Sequence, residues 1–89
     1  MTQSRVAITN ELGLHLRAAA RLVVVANRHN AKVTLSANGK TVDGKSLLGI
    51  TSLLARKGTV VTIEADGADE KVAIEALVAL IQDGFNTPS

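Results

Sequence analysis

Lys32-Val33-Thr34-Leu35-Ser36-Ala37-Asn38-Gly39-Lys40-Thr41-Val42-Asp43 decides the fold. Val33, Leu35 and Ala37 alternate with polar residues, the two-residue period of a strand with one buried face. Asn38-Gly39 supplies the pair that most readily takes positive φ in a two-residue hairpin turn, and the chain then returns as a short second strand. A hairpin in the middle of the chain makes the sheet mainly antiparallel. Upstream, residues 4–9 alternate with Val6 and Ile8 in phase and read as a first strand. Downstream, 59–65 is strongly β-branched, with Val61 and Ile63 on one side and Val60 and Thr62 on the other. Three helices fall between and after these strands. The first spans 16–27 with Ala19, Leu22, Val23 and Ala26 on its core face; Val23-Val24-Val25 has weak helix propensity and depends on packing. The second, over 47–55, starts from Ser46 as N-cap. The third begins at Asp69 or a neighbour and carries an apolar stripe of Ile74, Leu77, Val78 and Ile81 beside Ala73 and Leu80. Gly84 sits past its end, and 86–89 is a frayed tail. The order β-α-β-β-α-β-α, without a linker, makes residues 1–89 one α+β domain, an open-faced sandwich with helices over one sheet face.

The chain holds 89 residues, 46% hydrophobic and 20% charged, enough for a modest core but not for a deep catalytic cleft. Phe85 is the only aromatic, so aliphatic side chains must build that core. With no cysteine there are no disulfides or thiolate metal sites, as suits a reducing compartment. Neither a leader nor a membrane-length apolar run is present, and the expected location is cytoplasmic. Net charge is +2, unevenly spread. Nine of the ten Lys and Arg precede residue 64 alongside only Glu11 and Asp43, whereas the remainder sets Lys71 against six acids. A basic region suits phosphate or acidic partners. Nucleic acid is disfavoured, because bases would find no aromatic platform.

Within that basic region, Asn10-Glu11-Leu12-Gly13-Leu14-His15-Leu16-Arg17-Ala18-Ala19-Ala20 places a histidine at a loop-to-helix junction. Gly13 permits a tight bend. The helix that starts at Leu16 begins with amide N–H groups that lack intrahelical partners, a ready anion site. The chemistry this predicts is phosphoryl acceptance and donation by His15. Gly13, Leu16 and Ala18 form the supporting loop and helix start, and the Arg17 fork serves as a charge-assisted clamp. Two histidines, His15 and His29, without a carboxylate cluster give no metal site, and no cofactor is expected. His29 reads as a residue closing the first helix.

Ile8-Thr9-Asn10-x-Leu12-Gly13-Leu14-His15-x-Arg17-x-Ala19, followed by Asp43-Gly44-Lys45-Ser46-Leu47-Leu48-Gly49-Ile50, resembles the HPr family, the phosphocarriers of the bacterial phosphoenolpyruvate-dependent phosphotransferase system. The resemblance implies an open-faced β-sandwich, four mainly antiparallel strands with three helices on one face. It implies that His15 takes phosphate on Nδ1 from phosphorylated enzyme I and passes it to IIA-type acceptor domains, the protein being a carrier, not an enzyme. It also implies a regulatory phosphorylation of Ser46 by HPr kinase/phosphorylase, and a docking patch of Leu47 and Leu48, with Ala20 bordering the histidine. On a helix that short, at least one of the two leucines should be buried. Many family members carry proline directly after the arginine; Ala18 keeps the helix but leaves its start less rigid. Leu16 is bulkier than the small residue often found there. The Asn-x-Leu-Gly-Leu-His opening and the Asp83-Gly84-Phe85 ending look closest to proteobacterial nitrogen-related, regulatory branches. The alternative to sugar transport is therefore a signalling module whose phosphorylation state controls partner binding. A monomer is expected.

Overall fold

The computed structural model describes residues 1–86. Four strands, β1 (Thr2–Ala7), β2 (Lys32–Ala37), β3 (Lys40–Asp43) and β4 (Val60–Asp66), form one sheet in the order β1-β4-β2-β3, with every neighbouring pair antiparallel. The hairpin is as the sequence predicts. Asn38 and Gly39 have φ of 53° and 78°, and Leu35 pairs with Val42. The alternation of β2 and β4 buries Val33, Leu35, Ala37, Val61, Ile63 and Ala65 on one face and leaves Lys32, Val60 and Asp66 exposed. β1 starts two residues earlier than expected and stops at Ala7. Ile8 still follows the line of the sheet, its N–H donating to Thr59 at 2.9 Å and its carbonyl accepting from Gly58 at 2.8 Å.

Helices α1 (Leu16–Ala26), α2 (Leu47–Thr51) and α3 (Glu70–Gln82) cover the buried face. α1 buries Ala18, Ala19, Leu22 and Ala26; Val23 is only half-buried against the core, and Ala18 is a core residue that the periodicity did not single out. α3 buries Ala73, Ile74, Leu77, Leu80 and Ile81, the expected stripe except for half-buried Val78. Asp69 occupies the N-cap position of α3, but its carboxylate accepts from the amides of Asn30 and Ala31 at 2.9 and 2.8 Å, tying down the α1–β2 loop. Gly84, at φ +66°, ends α3 and turns Phe85 into the core, where it is fully buried. Of the tail expected over 86–89, Asn86 closes a single 3₁₀ turn and the rest lies outside the described residues.

The expectation for α2 needs correction. It is five residues long, not nine. The Thr51 hydroxyl bonds back to the carbonyls of Leu47 and Leu48 at 3.1 and 3.0 Å, and that of Ser52 to Gly49 at 2.6 Å, while Leu54 leaves helical space at φ +54°. Hydroxyls that compete for helix carbonyls weaken the last turn.

Candidate phosphoryl-carrying site

The loop 10–15 is held from two sides. Asn10, the one buried polar side chain among the described residues, donates from Nδ2 to the Gly13 carbonyl at 2.7 Å, and its own carbonyl accepts the Gly13 N–H at 3.1 Å. Leu14 N–H donates to the Ala55 carbonyl at 2.8 Å. Gly13 has φ +68°, and a Cβ built there would stand 2.5 Å from Ala55 O and 2.8 Å from Arg56 Cα. The loop and the chain leading into β4 therefore touch backbone to backbone, which only glycine allows.

This lock delivers His15 to the N-cap position of α1 with extended backbone, φ −74° and ψ 177°. Its carbonyl accepts the first helical bond, from Ala19 N–H at 2.8 Å, so the amides of Leu16, Arg17 and Ala18 have no partner within the helix. The imidazole does not cap them. The ring is half-buried, and its Nε2 is sealed from solvent without a hydrogen-bond partner among the described residues.

His15 and Leu16 line an open depression of about 410 Å³ together with Leu12, Leu54 and Arg56. Arg17 and Ala20 are both exposed, yet they line a second depression with Arg21 and Arg28, not the one beside the histidine. Ala18 is fully buried, backbone as well as side chain, so it supports the helix start from within. Ser46 caps α2 as expected, its hydroxyl accepting the Gly49 N–H at 3.1 Å. Leu47 and Leu48 are both exposed, at 36% and 81%; the residue α2 buries is Ile50. A one-turn helix has one inward position, and it falls at Ile50, three residues after Leu47. Sequence reasoning missed Leu12, Leu54 and Arg56 as neighbours of the histidine, because the last two reach it from some forty residues away by tertiary packing alone. It also missed the Asn10 tether. His29 places Nδ1 3.6 Å from Asp69 Oδ2 beside the tied-down loop, a structural position.

Fold and site together define a small α+β domain that offers one imidazole at a helix N-terminus, in the manner of a group carrier. Residues 2–83 match the family description "PTS HPr component phosphorylation site". Proteins named phosphocarrier protein HPr from Cupriavidus necator and Vibrio cholerae are 46% and 47% identical over 85 and 81 residues, covering 96% and 91% of this chain and 96% and 95% of theirs. Among solved structures, HPr-C-His from Thermoanaerobacter tengcongensis superposes with a TM-score of 0.94 at 38% identity, covering both chains fully. HPr from Bacillus anthracis gives 0.87 at 42%, covering 91% of this chain and 96% of its own. The chain belongs to the HPr family of phosphotransferase-system phosphocarriers. No helix among the described residues is long and apolar enough to cross a membrane.

Proposed function

We propose that the whole chain, residues 1–89, is one HPr-type carrier domain that accepts a phosphoryl group on Nδ1 of His15 from phosphorylated enzyme I and delivers it to a IIA-type acceptor domain. The observation that carries this reading is the histidine's setting: Nε2 is shut away, and His15 occupies the N-cap position of α1, whose first amides lack intrahelical partners. In the forward step the Nδ1 lone pair forms the new P–N bond as the donor's bond to phosphorus breaks, and that electron pair stays with the donor. The product dianion then meets donors already oriented at the α1 N-terminus, which favours negative charge there. The site is shallow and open, so the partner, not the carrier, excludes water and completes the reaction environment. The protein is on this reading a cytoplasmic monomer and a substrate of transferases, not an enzyme. Leu47, Leu48 and Ala20, all exposed, belong to its docking face.

Arg17 is assigned the second clamp on the phosphoryl group, through its planar fork. Arg17→Lys keeps the charge but loses the fork and should slow transfer. Unchanged rates in both Arg17→Lys and Arg17→Ala would remove it from the mechanism. Ser46 is assigned to regulatory phosphorylation by HPr kinase/phosphorylase. A phosphate there, at the N-cap of α2, places new negative charge beside the exposed leucines and repels an acidic partner. If phospho-Ser46 protein exchanges phosphate with enzyme I as fast as unmodified protein, the switch fails.

The central experiment is incubation with enzyme I and phosphoenolpyruvate. It should give an acid-labile, base-stable adduct that His15→Ala abolishes. Persistence of the adduct in that variant would overturn the assignment.

A further inference from the structure

The depression beside His15 contains a cation that the helix-start reading does not use. We propose that Arg56 is a phosphate-contacting residue for the group carried on His15, reaching it across the depression that the two residues line together. This rests on His15 being the acceptor. Arg56 lines the same depression as the histidine, and Arg17 does not. Its backbone is fixed by the turn into β4: its N–H donates to Thr59 Oγ1 at 3.1 Å and its carbonyl accepts from Thr59 N–H at 2.9 Å. That turn is pressed against the histidine loop, because a Cβ on Gly13, two residues before His15, would lie 2.8 Å from Arg56 Cα.

Charge bookkeeping points the same way. The neighbouring Lys57 is committed to Glu11, Nζ to Oε1 at 2.6 Å, whereas Arg56 is exposed and makes no ion pair among the described residues. No carboxylate lines the depression, and its remaining walls are Leu12, Leu14, Leu16, Leu54, Ala55 and Thr51. An unneutralised guanidinium on an apolar rim is placed for a forked contact with two oxygens of a phosphoryl group. The apolar rim weakens competing solvation once a partner covers it. Arg56 moves no proton in the step; it stabilises charge on the oxygens as phosphorus passes to Nδ1.

The test follows phosphoryl transfer from phosphorylated enzyme I to the full chain, and the ³¹P NMR titration of the phosphorylated product, in Arg56→Ala and Arg56→Lys. Arg56→Ala should slow transfer roughly tenfold, the size of one charge-assisted hydrogen bond. It should also raise the midpoint at which the bound phosphate takes up its proton. Arg56→Lys should restore part of both effects. An unchanged rate and an unchanged phosphate titration in Arg56→Ala, with His15 still labelled, would overturn the role of Arg56 alone. Label remaining on His15→Ala protein would instead overturn the acceptor assignment beneath it.

Discussion

Gly13 shows how one residue can fix the path of a loop without any side chain of its own. It combines a left-handed backbone at φ +68° with contact closer than any Cβ permits, 2.5 Å to a carbonyl oxygen. Gly13→Ala therefore adds left-handed strain to a backbone clash, and together these should cost about 2–5 kcal/mol. Urea unfolding would measure the loss, and phosphorylation of His15 should fall further than the unfolded fraction explains, since the loop must pull away from Ala55. Stability within about 0.5 kcal/mol of wild type would show that the loop and the Arg56 turn are not wedged together. At this scale the backbone frame of the candidate site was legible in the sequence. Glycine two residues before a histidine, ahead of an alanine-rich run, announces a bend and a helix start through local chemistry alone. Asn10 and Arg56 were not legible. What makes Asn10 a tether is burial, and what brings Arg56 to the histidine is a turn forty residues on; neither leaves a local pattern.

Short elements obey their caps more than their periodicity. α2 holds one turn, opened by the Ser46 hydroxyl on Gly49 N–H and closed by the hydroxyls of Thr51 and Ser52 on its own carbonyls. Ser46→Ala removes the opening cap and should destabilise the protein by about 1 kcal/mol. Ser46→Asp keeps an acceptor there and adds charge at the favourable end of the helix, so it should lose less than Ser46→Ala in the same denaturation series. Equal losses would mean that Ile50 packing alone holds the turn. The apolar letters Leu53-Leu54-Ala55 read as more helix because periodicity cannot register side-chain hydroxyls drawing on carbonyls or a leucine at positive φ. The long elements were legible for the converse reason. α1, α3 and β4 each repeat their pattern over enough residues that burial follows it, and only the rim positions Val23 in α1 and Val78 in α3 drift outward. Asp69 marks the limit of that reading: a carboxylate at the N-cap position suggests a cap, but this one is drawn off by two loop amides nearly forty residues earlier.

The whole molecule is drawn together where its first two residues meet the start of α3. β1 lies at one edge of the sheet, paired only with β4, and its first residues reach the start of α3. There Glu70 accepts from the Met1 ammonium at 2.8 Å, from the Thr2 hydroxyl and from Gly67 N–H at 3.2 Å. The ammonium's hydrogen bond, then the Thr2 hydroxyl and the Gly67 amide, hold the Glu70 carboxyl at about 2, below its ordinary 4.5. The bond to Glu70 in turn raises the ammonium above its ordinary 8.0. A carboxyl with a depressed folded value stabilises fully above its unfolded value and loses that contribution as pH falls through the folded one. The ammonium, with a raised folded value, stabilises fully below 8.0 and loses its contribution as pH climbs through the higher value. Wild-type stability should therefore carry an acid slope between about 4.5 and about 2 and a shallower alkaline decline above 8 that share one contact. Glu70→Gln should flatten both legs together, with its deficit largest near neutrality and gone by about pH 2. Urea midpoints recorded across pH would read this directly. An acid slope as steep in Glu70→Gln as in wild type would place the titration on other carboxylates and leave β1 held to the fold by sheet pairing alone.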